Sequence, residues 1–141
     1  NIATVSGSNT LVYTDGSVKA GTMYTYTVRA YKGSALSAYN KNGSRIVRLT
    51  APVQYKPSSK ASGKLTVRWK KAAGASSYQI QYAASRSMRG ARTVATSALT
   101  RTLSGLKKGS TCYVRIRSCK KVNGKAYYGT WSSVKNAKVR K

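Results

Sequence analysis

The 141-residue chain sets 27 lysines and arginines against one acid, Asp15, and no histidine, a formal charge of +26. That inventory leaves no usual glycosidase, which needs two carboxylates, no serine triad, which needs a histidine base, and no calcium site, which needs clustered oxygen anions. Eleven tyrosines, no phenylalanine and 40% hydrophobic residues describe a chain that can bury a core and that favours strands.

In chain order, Ile2–Val5 reads as a short strand, 6–9 as a turn, and Thr10–Thr14 as a second strand ended by Asp15-Gly16. Asp15 reads as a turn residue. Gly21 then opens an alternating run, Met23–Tyr31, with Tyr24, Tyr26, Val28 and Ala30 on one face and Thr25, Thr27 and Arg29 on the other. Such alternation is the mark of a half-buried strand. A loop or hairpin over 32–43 leads to a strand at Ser44–Thr50, and Pro52 marks a boundary because proline ends pairing.

Beyond it, Val53–Tyr55 reads as an edge strand and 57–63 as turn-rich. Lys64–Lys70 alternates with Leu65, Val67 and Trp69 inward. A turn on Gly74 precedes Ser77–Ala83, with Tyr78, Ile80 and Tyr82 inward and Gln79 and Gln81 outward. Ala91–Ala95 and Ala98–Leu103 read as strands, and 106–109 as a corner. The next run repeats the first: Gly109 aligns with Gly21 and Arg117 with Arg29. Cys112, Val114, Ile116 and Ser118 share one face, and Tyr113, Arg115 and Arg117 the other. Asn123-Gly124 fits a type I′ hairpin turn. Ala126–Trp131 and Val134–Val139 form the last strand, bent at Ser132-Ser133. About seven strands over 52–141, with no helical period, predict an all-β, immunoglobulin-like β-sandwich.

Residues 52–141 resemble a fibronectin type III domain, of the Lys-rich kind found in secreted and surface proteins of Gram-positive bacteria. The resemblance rests on Trp69 in Thr66–Trp69, on Gly74–Tyr82, on the corner Leu106–Gly109, on Val114–Arg117 and on Tyr127–Ser132. Lys108 stands where the family often has proline, and Cys112 where it has a corner tyrosine. In the first copy that tyrosine is kept, as Tyr24. Such a hydroxyl ties the strand to the connection before it; at Cys112 the tie is lost or replaced, with Tyr113 a candidate to cover the site. Residues 1–51 resemble only the second half of another such domain. This implies an open apolar face and a chain that belongs to a longer protein or receives its missing strands from a partner.

Cys112 is predicted to face the core as a small hydrophobe. Cys119 is predicted to face outward beside Lys120 and Lys121, on the opposite side of one strand, which disfavours a disulfide between the two unless the strand bulges. No cofactor or metal site is expected. Arg115 and Arg117 share an outer face with Tyr127, Tyr128 and Trp131 of the neighbouring strand, which predicts a cation–π ladder. The ladder either stiffens the sheet or forms a binding face, with aromatic planes for a sugar and arginines for phosphates or carboxylates.

Three functions fit. One is a non-catalytic spacer, display or adhesion module of a secreted or cell-surface bacterial protein, joined to domains upstream. Another is a cationic module for an anionic polymer such as teichoic acid, acidic glycan or DNA. The last is the C-terminal tail of an extracellular enzyme. Sequence-specific nucleic acid is disfavoured, since there is no basic helix and no recognised motif. No apolar stretch is long enough to cross a membrane as a helix.

Overall fold

Alternating side chains give each strand an apolar face that must close on another. In the computed structural model, which describes residues 2–141, two sheets do so, and no helix occurs among the described residues. The strands are β1 (Met23–Tyr26), β2 (Tyr31–Lys32), β3 (Ala35–Leu36), β4 (Ser44–Val47), β5 (Leu65–Arg68), β6 (Ser77–Ala83), β7 (Arg92–Thr96), β8 (Thr100–Leu103), β9 (Thr111–Val122), β10 (Lys125–Trp131) and β11 (Lys135–Lys138).

One sheet runs β10-β9-β6-β7, with β11 continuing along the β10 edge of β9. The other pairs β5 with β8 and is extended by single bridges, Gln54 to Trp69 and Ser58 to Thr66. The predicted edge strand at Val53–Tyr55 is therefore one bridge and not a ladder. Between the sheets lie Leu65, Val67, Trp69, Tyr78, Ile80, Leu103, Cys112, Val114, Ile116 and Val139, all buried. This is the all-β sandwich the alternation predicts. The last strand breaks at Ser132, whose N–H donates to the Ile116 carbonyl at 2.7 Å while its hydroxyl accepts from the Ile116 N–H at 3.0 Å. Asn123 and Gly124 both have positive φ (49° and 78°), as a type I′ turn requires.

The repeat in the sequence is a repeat in geometry. β1 pairs β4 with Met23 opposite Val47 and Tyr24 opposite Ile46. β9 pairs β11 with Thr111 opposite Lys138 and Cys112 opposite Ala137. Gly21 N–H donates to the Arg48 carbonyl at 2.8 Å, and Gly109 N–H to the Val139 carbonyl at 2.9 Å.

Three further expectations fail, two of them in the first 51 residues. Ile2–Val5 and Thr10–Thr14 form no strand: neither finds a neighbouring strand, and β-propensity without a partner does not make a ladder. The strand expected at Met23–Tyr31 stops at Tyr26. Past it, the Val28 N–H is taken by Asn40 Oδ1 (2.6 Å) and the Ala30 N–H by Ser37 Oγ (2.9 Å), so side chains replace ladder bonds. Cys119 is not outward but buried, at 7% exposure. The residues on either side of it both hold the first 51 residues. Ser118 Oγ donates to the Thr50 carbonyl at 2.5 Å, and Lys120 Nζ to the Gly21 carbonyl at 2.6 Å. The β1–β4 ribbon thus closes over this end of β9. Gly21 packs backbone to backbone against Gly74, and Leu49 against Gly129.

Asp15 sits in its turn as expected. Its Oδ1 accepts from the Ser17 N–H (2.9 Å) and the Ser17 hydroxyl (2.6 Å), and its Oδ2 from the Tyr26 hydroxyl (2.9 Å). The Ser17 bonds first, then the Tyr26 bond, hold the carboxyl below its ordinary value of 3.8. Desolvation first, then the bond to Asp15, pushes Tyr26 above its ordinary value of 10.0. A depressed carboxyl contributes stability above the ordinary carboxylate range and loses it as pH falls through the lowered value. A raised tyrosine contributes below its ordinary value and loses it as pH rises through the raised one. Tyr26→Phe is expected to raise the Asp15 midpoint in an NMR titration of the side-chain carboxyl carbon. An unmoved midpoint would assign the depression to Ser17 alone.

Candidate functional site

Residues two apart on a strand point the same way. On β9 this brings Arg115 and Arg117 to the outer face of the larger sheet. Antiparallel register sets Gln81 opposite Arg115 and Gln79 opposite Arg117 on β6. Each guanidinium is clamped by its glutamine. Arg115 Nε and Nη2 donate to Gln81 Oε1 at 2.9 and 2.7 Å, and Arg117 Nε and Nη2 to Gln79 Oε1 at 3.0 and 2.7 Å. Gln79 Nε2 in turn donates to the Tyr128 hydroxyl at 3.4 Å.

On the other flank, a register shift between Tyr128 and Trp131 on β10 brings both rings against the arginines. The Arg115 guanidinium lies 4.6 Å from the Trp131 centroid. That of Arg117 lies 4.5 Å from Trp131 and 4.0 Å from Tyr128. Exposed contacts of this kind contribute about 0.5–1 kcal/mol each. Tyr127 is not part of the ladder. It pairs with Lys125, whose ammonium is 5.6 Å from its ring, and it lines two shallow clefts between β10 and the β1–β4 ribbon. Arg29, the counterpart of Arg117, also stacks on an aromatic ring, 4.7 Å from the Tyr39 centroid.

The glutamines are what the sequence reading missed as parts of the site. Gln79 and Gln81 alternate outward on β6, but only the pairing of β6 with β9 shows that they face the arginines. Their neutrality matters. Asp15 is the chain's one acid and is engaged with Ser17 and Tyr26, so no carboxylate offsets Arg115 or Arg117 among the described residues. The arrangement holds two charged, pre-oriented forks on the outer face of the sheet. The Trp131 and Tyr128 rings each have a guanidinium against them.

The remaining singled-out residues have structural surroundings. Trp69 and Tyr78 meet edge to face at 5.3 Å in the core. The Tyr24 hydroxyl accepts from the Lys19 N–H at 2.8 Å, the corner tie of the first copy. At Cys112 no such tie forms among the described residues. That corner is held by Ser110 Oγ donating to the Lys107 carbonyl (2.6 Å) and by the Val139 N–H donating to the Ser110 carbonyl (2.8 Å). Burial pushes the Cys112 thiol up, away from the thiolate that reactivity needs. Among the described residues no three metal-ligating side chains cluster.

No family model matches the chain, and no curated protein matches it in sequence. Solved structures do. The chain is similar to the fn3 domain of human contactin 1 at 18% identity and a TM-score of 0.56, over 79% of this chain and 93% of that one. It is similar to the FN1-FN3 domains of chicken CNTN1 at 20% identity and a TM-score of 0.54, over 92% of this chain and 46% of that one. The chain thus spans just under half of that longer structure. The likeness shows the fold, an immunoglobulin-like β-sandwich of the fibronectin type III kind.

Proposed function

We propose that the chain is a non-catalytic spacer or adhesion module of a longer extracellular protein, of the secreted or surface-attached bacterial kind its lysine-rich sequence resembles. Residues 52–141 form one complete sandwich, and residues 1–51 are the second half of the sandwich before it. The carrying observation is the uncovered face of the β1–β4 ribbon. The ribbon repeats the corner and register of β9 and β11. In the second copy Cys112 on that face lies buried under the β5–β8 sheet. In the first copy Ile46, opposite Tyr24 on that face, is exposed. A two-stranded ribbon is marginal alone; here it is supported from one side by β9 and β10.

The test extends the chain upstream by the roughly 50 residues that a sandwich of about 100 would still need. The longer chain should melt higher and bind less of a hydrophobic dye than the present one. Equal dye binding and equal melting would remove the half-sandwich reading.

A further inference from the structure

The arginine ladder has donors left over. A guanidinium carries five N–H groups in a fixed fork. The glutamines occupy the Nε and Nη2 side of Arg115 and Arg117, and neither Nη1 has a partner among the described residues. Both arginines therefore keep unpaired donors suited to two oxygens of one anion. They sit two residues apart on one strand, a repeat of about 6.7 Å.

Three features narrow the ligand. Arg115 and Arg117 stand side by side on the outer face of one sheet, where a chain that carries several charges can engage both at once. Trp131 and Tyr128 each already have a guanidinium against the ring, which leaves less aromatic surface for a nucleobase or a sugar ring than for a ligand without rings. The charge is uncompensated: residues 52–141 contain 21 of the 27 cations and no acid. We propose that the outer face of β6, β9 and β10 binds a thin phosphodiester chain without aromatic or sugar rings, of the poly(glycerol phosphate) type, with Arg115 and Arg117 gripping successive phosphates. This stands independently of the spacer reading.

The test is titration of the intact chain with poly(glycerol phosphate) at low salt. The double variant Arg115→Lys/Arg117→Lys keeps every charge but loses the forks, and should bind about tenfold more weakly. The control Arg68→Gln/Arg101→Gln removes two exposed charges from the other sheet and should change affinity by less than about threefold. Side-chain Nε–H signals of the unsubstituted protein provide a readout independent of any variant's folding, and those of Arg115 and Arg117 should shift first. Single-stranded DNA with as many phosphates, and polygalacturonate, should bind more weakly. Equal losses in the two double variants, shifts spread evenly over all arginines, or tighter binding of either competitor would overturn the proposal.

Discussion

Trp69→Ala is expected to lower the unfolding free energy by about 3–5 kcal/mol, the usual cost of emptying a large aromatic site in a core. Set against a total of about 5–15 kcal/mol for a domain, this is a large share of the stability. Trp69 is 2% exposed, packed edge to face with Tyr78, and shares one core cluster with Leu65, Val67, Ile80, Val114 and Ile116, all fully buried. Few neighbours can move into the space, because they come from both sheets and are fixed by ladder pairing. The indole Nε1 is buried and has no hydrogen-bond partner. Trp69→Phe therefore also removes an unsatisfied donor, which offsets part of the lost packing, and should cost less than half as much as alanine. Urea unfolding followed by circular dichroism measures both. A loss below about 1 kcal/mol for Trp69→Ala would contradict a core that closes on this residue.

Gly74→Ala should detach the β1–β4 ribbon. Ala75 N–H donates to the Ala72 carbonyl at 3.2 Å, and Gly74 has a φ of +78°, as the third residue of a type II turn demands. A side chain in that conformation costs about 1–2 kcal/mol by itself. The added Cβ would also lie 2.6 Å from the Gly21 Cα and 2.9 Å from the Ala20 carbonyl carbon. These are backbone atoms and cannot swing away. The junction must open, and Cys119 beneath it should become reactive to a thiol reagent while Cys112 stays protected. Gly105→Ala is the matched control: its φ is +66°, with nothing within 4 Å of the added Cβ. It should lose similar backbone stability and leave Cys119 protected. Equal Cys119 reactivity in the two variants would show that backbone strain, and not the collision with Gly21, governs the junction.

The residues that the sequence placed well are those whose burial follows from local period alone. Leu65, Val67 and Trp69 face inward on β5 and just beyond it, and Val114 and Ile116 on β9, because alternation decides the face once a sheet exists. The misplacements share a cause. Ile2–Val5 and Thr10–Thr14 have strand composition, yet pairing depends on a neighbour that composition does not reveal. Cys119 obeys the alternation of β9, but it is buried where residues from far earlier in the chain, Gly21 and Thr50 among them, dock beside it. The ladder arginines and Trp131 were legible as a face. Gln79 and Gln81 as their clamps were not, because that relation exists only in the register between β6 and β9.

The choice of amide over carboxylate in those clamps has a consequence for how the face responds to its surroundings. A glutamine oxygen takes up no proton in ordinary aqueous conditions, and a guanidinium gives none away. An arginine held by aspartate or glutamate would be released in acid; one held by glutamine is not. The clamps of Arg115 and Arg117 should therefore keep one geometry from acidic to alkaline media. Anything docked on them would leave in response to ionic strength or a competing polyanion, and acidity would not be the trigger.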